Sequence, residues 1–562
     1  MAAPLLQIQG LTIDLPHSAE RRHAVEDVSL ELWRNEILCV VGESGSGKTM
    51  MARSIIGLLP ARVQVSAGEI GFEGEDLSRV RPARLRQIRG GRISMIFQEP
   101  MTALNPVMTI GDQIDEVIAV HTDLSRRARR ERIIEILTDV RLPEAEHILR
   151  AYPHELSGGQ RQRAMIAMAL VLKPAMIIAD EPTTALDVTT QAQILKLIRD
   201  LQAEHNTGVL FVTHDFGVVA EIADRVAVMQ HGRLVEYDQA DRVLNRPRHP
   251  YTRTLIAAVP SLVPHSRARP ESEPLLRVER LDKAYRSGGG LLGRGGRVMH
   301  AAKSVEFAIR RGETLGLVGE SGSGKTTVAR CVVRLIEADG GRILLDGTDL
   351  RALSKRAMRP WRKRVQMVFQ DPFGSLNPRL KVGGLVAQGP IVQGGKPAEA
   401  LARAHELLAL VGLDPRAADR YAHEFSGGQR QRIGIARALA LDPELLVADE
   451  PVSALDVSVQ AQVLALLAEI RDRFNLTMLF ITHDLRVAAQ VCDAIAVMRE
   501  GEIVEFGPTR DIFGDPKHPY TRELIDAVPG KAWVVPAGLA AKAAHAGSQS
   551  AAGPDPIAAA GR

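Results

Sequence analysis

Nothing in this 562-residue chain approaches ~18 consecutive apolar residues, so no segment reads as a membrane-spanning helix. The opening Met1-Ala2-Ala3-Pro4-Leu5-Leu6 lacks a basic stretch and a long apolar run and leads straight into strand-like alternation. No signal peptide is expected. Cysteine is scarce: Cys39, Cys331 and Cys492 lie far apart, and no C-x-x-C pair exists. That excludes a readable zinc ribbon or iron–sulfur motif and leaves reduced, buried thiols of a cytosolic protein as the expectation. Charge of one sign is missing too. The chain carries 71 basic and 67 acidic residues, a net charge of +4. Such a balance is compatible with lying near an anionic surface but is no argument for a nucleic-acid partner. With 45% hydrophobic and 25% charged residues, the composition is that of an ordinary soluble globular protein.

What is present is a repeat. Gly42-Glu43-Ser44-Gly45-Ser46-Gly47-Lys48-Thr49 recurs letter for letter as Gly319-Glu320-Ser321-Gly322-Ser323-Gly324-Lys325-Thr326. Each copy fits G-x-x-x-x-G-K-[ST], a loop that wraps nucleotide phosphates. Its glycines let backbone N–H groups converge on phosphate oxygens, and the helix start that follows adds favourable dipole charge. Lys48 and Lys325 would reach the β- and γ-phosphates, and Thr49 and Thr326 would ligate Mg²⁺.

Other residues repeat with the loops. The offset is 277 residues from Lys48 to Lys325 and 272 from Gln98 to Gln370. It is 269 for Ser157 to Ser426, Asp180 to Asp449, His214 to His483 and His249 to His518. This is a tandem duplication of one domain of about 250 residues, large enough for its own core. The expected division is a first domain over 1–260, a Pro-, Ser- and Arg-rich linker over 261–274, a second domain over 275–530 and a disordered Ala/Gly/Pro/Ser tail over 531–562. Ser287 to Arg297 reads as a Gly-rich flexible insertion.

Within each half, short apolar runs alternate with helical patterns. Ile37–Val41, Met176–Ala179 and Val209–Val212 read as buried strands, as do Leu445–Ala448 and Met478–Ile481. Met50 to Leu59 reads as the helix after the first loop. Such strands between helices imply an α/β fold with a parallel sheet covered on both faces. Ligands then sit at the carboxyl ends of the strands. Residues of about 100–155 and 372–424 turn helical and charged, which implies an inserted helical subdomain in each half.

Two further residue groups carry chemistry. Asp180-Glu181 and Asp449-Glu450 each close an apolar strand. Asp180 and Asp449 would hold Mg²⁺, while Glu181 and Glu450 would orient and deprotonate an attacking water. A solvated acidic turn is the plainer reading of such a pair. Ser157-Gly158-Gly159-Gln160 and Ser426-Gly427-Gly428-Gln429 precede long helices. A serine with open glycine amides at a helix start is either an ordinary N-cap or a second anion-binding device.

In combination, the loop, Gln98, Leu156–Gln160, Asp180-Glu181, Ala185-Leu186-Asp187 and His214 resemble the ATP-binding cassette family. The second half repeats every feature as Gln370, Phe425–Gln429, Asp449-Glu450, Ala454-Leu455-Asp456 and His483. The resemblance spans about 530 residues and implies two P-loop NTPase (RecA-like) cassettes, duplicated in tandem. It implies that the cassettes face head to tail and share two ATPs, Lys48 pairing across one with Ser426 and Gly428, and Lys325 across the other with Ser157 and Gly159. It further implies that Gln98 and Gln370 sense the γ-phosphate and Mg²⁺ and that His214 and His483 contact the γ-phosphate. The family usually stacks adenine on an aromatic near the end of the first strand. Tyr285 fits that place in the second half, and Leu15 stands there in the first.

Gln98–Pro106 and Gln370–Pro378 resemble the peptide and nickel importer branch, as do His249-Pro250-Tyr251-Thr252-Arg253 and His518-Pro519-Tyr520-Thr521-Arg522. The plainer reading of the latter pair is a helix start with a Pro–Tyr packing contact. Arg126-Arg127-Ala128-Arg129-Arg130 reads as a solvated helix face. The expectation is therefore an ATPase on the cytoplasmic face of the membrane, energising a peptide-type importer. It would drive two transmembrane permease subunits, fed by an extracytoplasmic solute-binding protein, with no nucleic-acid partner. A soluble twin-cassette ATPase acting on ribosomes or DNA, or an exporter ATPase, stays open as the alternative.

Overall fold

The computed structural model describes residues 3–16, 21–184, 186–265, 267, 270–287, 297–371, 373–453, 455–536 and 538–539. Ala185, Pro372, Ala454, most of the Gly-rich 287–297 insertion and the tail from 540 onward lie outside the described residues. The chain divides into two compact units. One holds Met1–Leu186, Thr190–Val259 and Pro529–Arg562, and the other Asp187–Thr189 and Pro260–Val528.

In the first unit, Ile37–Val41 and Met176–Asp180 are five-residue strands buried at every position. A strand buried on both faces needs cover on both, and these pair in parallel with Gly208–Thr213 in a six-stranded sheet. Its order is Arg233–Gln239, Arg225–Gln230, Ile37–Val41, Gly208–Thr213, Met176–Asp180, Ile93–Ile96, with only the Arg233–Gln239 edge antiparallel. A second, four-stranded antiparallel sheet contains His23–Leu32, Leu6–Asp14, Gln64–Phe72 and Glu75–Asp76. One core joins the sheets: Met51, Ala52 and Ile55 pack with Leu6, Ile8, Val25 and Ile178. The helix carrying these residues therefore lies against both layers.

That helix runs over Lys48–Ile55, not over 50–59. Gly47, at φ 103°, starts it two residues early, and Gly57, at φ 61°, ends it. The early start puts Lys48 and Thr49 in the first turn of the helix.

The second unit repeats the six-strand order as Val365–Val368, Leu445–Asp449, Thr477–Thr482, Thr314–Val318, Ala494–Arg499, Glu502–Pro508. The linker stretch lies along this unit: Gln490 Nε2 donates to the Ser261 and Val263 carbonyls at 2.9 and 2.8 Å, and Arg310 donates to the Pro270 carbonyl at 2.8 Å. Near the other end of the chain, Trp533 Nε1 donates to Asn245 Oδ1 at 3.2 Å within the first unit.

The helical insertions are Ile110–His121 and Arg126–Asp139 in the first unit, and Val382–Val392 and Pro397–Leu410 in the second. Thr109 and Ser125 cap the first two by accepting from the Asp112 and Ala128 N–H groups. The basic run is largely neutralised: Arg127 pairs with Glu131, Arg129 with Asp115 and Arg130 with Glu146. All three cysteines are buried and free, and burial pushes each thiol up, Cys331 to about 11.

Candidate active site

Both phosphate loops follow the central strand of their sheets. Gly47 and Gly324 take φ of 103° and 106°, a left-handed region that costs any other residue energy. A Cβ there would also sit 2.4 and 1.9 Å from the Ala24 and Ala301 carbonyl oxygens. Sterics and backbone conformation both demand glycine at this motif position. Lys48 is only 5% exposed, and its ammonium donates to the Gly42 and Glu43 carbonyls at 2.7 and 2.9 Å. Lys325 repeats this at 2.7 and 2.6 Å. Burial pulls the Lys325 pKa down, against the pull of Glu450 and Asp449. An ammonium held in low dielectric is poised to gain from an anionic partner.

The acidic pairs arrive from the neighbouring strand but one. Thr49 Oγ1 donates to Asp180 Oδ1 at 2.9 Å, and Thr326 Oγ1 to Asp449 Oδ1 at 3.0 Å. Both aspartates are essentially inaccessible, and burial raises their pKa values. Asp180 Oδ2 is buried with no hydrogen-bond partner. An orphaned carboxylate oxygen beside a threonine hydroxyl fits a divalent cation or its water ligand. Among the described residues no group of three or more His, Cys, Asp or Glu is arranged to hold a metal ion by itself.

Glu181 and Glu450 sit at φ 48° and 47°, strained for a non-glycine residue. The turn swings each carboxylate off the strand end. Gln98 Nε2 donates to Glu181 Oε2 at 2.8 Å, and His214 Nδ1 lies 3.2 Å from Oε1. Gln370 and His483 hold Glu450 at the same two distances. Burial acts to raise the pKa of both glutamates, but the histidine hydrogen bond and charge outweigh it, so both are lowered and ionised at neutral pH. Burial likewise acts to lower His483, and its contact with Glu450 turns the net shift upward. The structure thus brings Lys48, Thr49, Gln98, Asp180, Glu181 and His214 to one place, and their six counterparts to another.

Ser157–Gln160 and Ser426–Gln429 form separate helix starts. Each serine hydroxyl accepts from the glutamine N–H while the glutamine side chain accepts from the serine N–H, a reciprocal cap. A Cβ on Gly159 would meet Thr190 Cγ2 at 2.9 Å, and one on Gly428 would meet Val459 Cγ1 at 2.3 Å. The glycines therefore also serve close helix packing. Gly158, by contrast, faces open space.

The halves differ at the expected adenine position. Tyr285 has the Lys283 ammonium 5.6 Å from its ring centroid, whereas Leu15 packs against the first unit's core. We expect Tyr285→Ala to weaken nucleotide binding at the second site by about 1 kcal/mol, the low end for base–aromatic stacking. Leu15→Ala should instead lower thermal stability and leave affinity unchanged. Nucleotide titration checks this, and equal affinity losses would refute it.

Sequence reasoning missed two features. Arg21 Nη2 donates to the Gly45 carbonyl at the first loop at 2.5 Å, and no motif marks it. The Tyr251 and Tyr520 hydroxyls reach the loops as well, accepting from the Glu43 and Glu320 N–H groups at 3.2 Å each. Their offset of 269 residues, shared with the acidic pairs, was the available signal.

The chain matches the ABC transporter family over residues 25–184 and 302–453. It matches the oligopeptide/dipeptide transporter C-terminal region over 235–286 and 504–533. The glutathione import ATP-binding protein GsiA of Escherichia coli O157:H7 is 47% identical over 94% of this chain and 90% of its own length. Its counterpart in Salmonella typhimurium strain LT2 is 46% identical over 93% of this chain and 89% of its own length. A solved cassette, in a dimeric post-hydrolysis state with ADP and Pi, matches at 28% identity and a TM-score of 0.38, over 42% of this chain and 99% of that one. With two phosphate loops, two acidic pairs and two matched C-terminal regions, the chain belongs to the ABC transporter family, as an ATPase with two ATP-binding cassettes in tandem.

Proposed function

We propose that this ATPase sits at the cytoplasmic face of a membrane and energises import of peptides or small peptide-like solutes, glutathione among them. The reading rests on one observation above others: likeness to glutathione import ATP-binding proteins extends over 94% of the chain. Two separate transmembrane subunits would be driven, with solute delivered by a binding protein on the far side. No helix among the described residues is long and apolar enough to cross a membrane itself.

ATP is the substrate of both sites. Gly42–Thr49 and Gly319–Thr326 would bind its phosphates through backbone amides and the lysines. Mg²⁺ would be held by Thr49, Asp180 and Gln98 at one site and by Thr326, Asp449 and Gln370 at the other. When bound it supplies charge neutralisation on the β- and γ-phosphates. Glu181 and Glu450 would take the proton of the attacking water, with His214 and His483 holding them ionised. Gln98, Thr184 and His214 engage the two carboxylate oxygens of Glu181 through three contacts, which leaves about one of the ~four lone-pair sites for a water. Gln98 thereby ties the first base to a cleft of about 400 Å³ lined by Arg53, Phe97, Gln98 and Glu99. A different cleft in the second unit, of about 370 Å³, is lined by Phe369, Leu385, Val392 and Arg437. These clefts suit docking of the transmembrane subunits. Ser157–Gln160 and Ser426–Gln429 would act as further anion-binding helix starts through their glycine amides and serine hydroxyls.

Purification of the tagged chain from membranes tests the reading. Two integral membrane proteins should co-purify, and ATP turnover should rise with a solute-loaded binding protein. Recovery with ribosomes or DNA, or stimulation by a solute from the cytoplasmic side, would overturn it.

A further inference from the structure

Each His-Pro-Tyr-Thr-Arg segment ends on a phosphate loop, and the same set of contacts delivers it in both units. The Glu236 carboxylate accepts from the N–H groups of Arg248 and His249 at 2.7 and 3.1 Å. Glu505 does so from Lys517 and His518 at 2.7 and 3.0 Å. His249 Nδ1 then accepts from the Tyr251 N–H at 3.3 Å, and His518 Nδ1 from the Tyr520 N–H at 3.2 Å. Each histidine thereby caps its helix, Pro250–Ala257 or Pro519–Asp526, with proline at the first helical position. Arg253 and Arg522 close the turn by donating to the Pro247 and Pro516 carbonyls at 2.9 Å each. The whole arrangement fixes one tyrosine, and its hydroxyl accepts from the N–H of the second loop residue, Glu43 or Glu320.

The hydroxyl contact repeats at the same distance in both units, 3.2 Å. Arg499 stacks 4.8 Å from the Tyr520 ring centroid, and Gln230 stands at the corresponding position in the first half. A second tether acts further along each loop: the Gly232 N–H donates to the Ser46 carbonyl at 2.9 Å, and the Gly501 N–H to the Ser323 carbonyl at 3.0 Å. The loop is thus pinned at its second and fifth residues by elements that follow the catalytic strands in sequence.

We propose that Tyr251 and Tyr520 are positioning residues of the two nucleotide sites, through which the C-terminal region sets the conformation of the phosphate loop. The inference rests on the reading of these loops as ATP-phosphate sites. A loop already held open in its binding shape loses less conformational freedom when phosphate binds, so its amides bind more tightly. Removing the hydroxyl also leaves the Glu43 or Glu320 N–H without that acceptor.

The test uses the full chain with Tyr251→Phe or Tyr520→Phe, and Tyr→Leu at each position for comparison. Phenylalanine keeps the ring and removes only the hydroxyl. Equilibrium binding of labelled ATP and steady-state ATPase kinetics are measured beside thermal unfolding. Each Tyr→Phe change should raise Kd and KM for ATP roughly 2- to 10-fold, the range for one lost hydrogen bond. The value of kcat should hold and unfolding should stay cooperative at the parent midpoint. Unchanged ATP affinity in both Phe variants, with losses confined to the Leu variants and tracking their lower unfolding midpoints, would reduce the tyrosines to ring packing and overturn the inference. A parent chain that binds no ATP would instead sink the underlying site reading.

Discussion

Glu181→Gln and Glu450→Gln should each lower ATP hydrolysis by about 10²- to 10⁴-fold at the altered site, the range for loss of a positioned general base, while ATP stays bound. The amide is isosteric with the carboxylate and can still accept from Gln98 or Gln370. It cannot accept a proton from water near neutral pH, and it removes the negative charge that faces His214 or His483. Positive φ at both positions, 48° and 47°, is already strained, and glutamine inherits that strain unchanged, so folding should not be the cause of any loss. Single-turnover assays with labelled ATP, followed by filtration to count retained nucleotide, distinguish trapping from failure to bind. A glutamine and a histidine hold the base at the same two distances in both sites, so both variants should behave alike. Full turnover in either one would show that the two sites are not equivalent partners.

Lys48→Ala and Lys325→Ala should weaken ATP binding at the altered site by roughly 10- to 100-fold, as expected for loss of hydrogen bonds to a charged group. Each ammonium is buried and held against two loop carbonyls beside the serine hydroxyl of its own loop. Those bonds hold the side chain inside the loop, where opposite charge has its largest effect. Burial lowers the Lys325 pKa, so its charge is a cost to the folded protein in the absence of an anion. Alanine should therefore abolish much of the affinity with little loss of fold. Equilibrium dialysis with labelled ATP, alongside the unfolding midpoint, checks both parts. Retained affinity in either variant would remove that lysine from the phosphate site.

Much of this was legible in the order of residues. Five-residue apolar strands such as Ile37–Val41 can satisfy their neighbours only inside a sheet covered on both faces, and the parallel sheet follows. The phosphate loop is local: its glycine and lysine spacing is a property of eight consecutive residues, and Gly47 takes the backbone conformation that only glycine takes cheaply. Helix ends were less legible. The Lys48–Ile55 helix begins and ends where Gly47 and Gly57 adopt positive φ, and nothing in apolar spacing reports φ.

Tertiary structure alone decided what each motif touches. Glu181 lies 83 residues from Gln98 and 33 from His214, and only the order of strands in the sheet brings both onto its carboxylate. The ionised state of Glu181 is a balance between burial and a histidine contact, which no single stretch contains. The His-Pro-Tyr-Thr-Arg segments read in sequence as a family mark and a packing contact. In the folded chain Tyr251 reaches back 208 residues to the amide of Glu43. Local chemistry determines which backbone shapes and which reactive groups the chain has. Long-range pairing depends on burying the whole apolar face of the sheet at once, and that determines which of those groups meet.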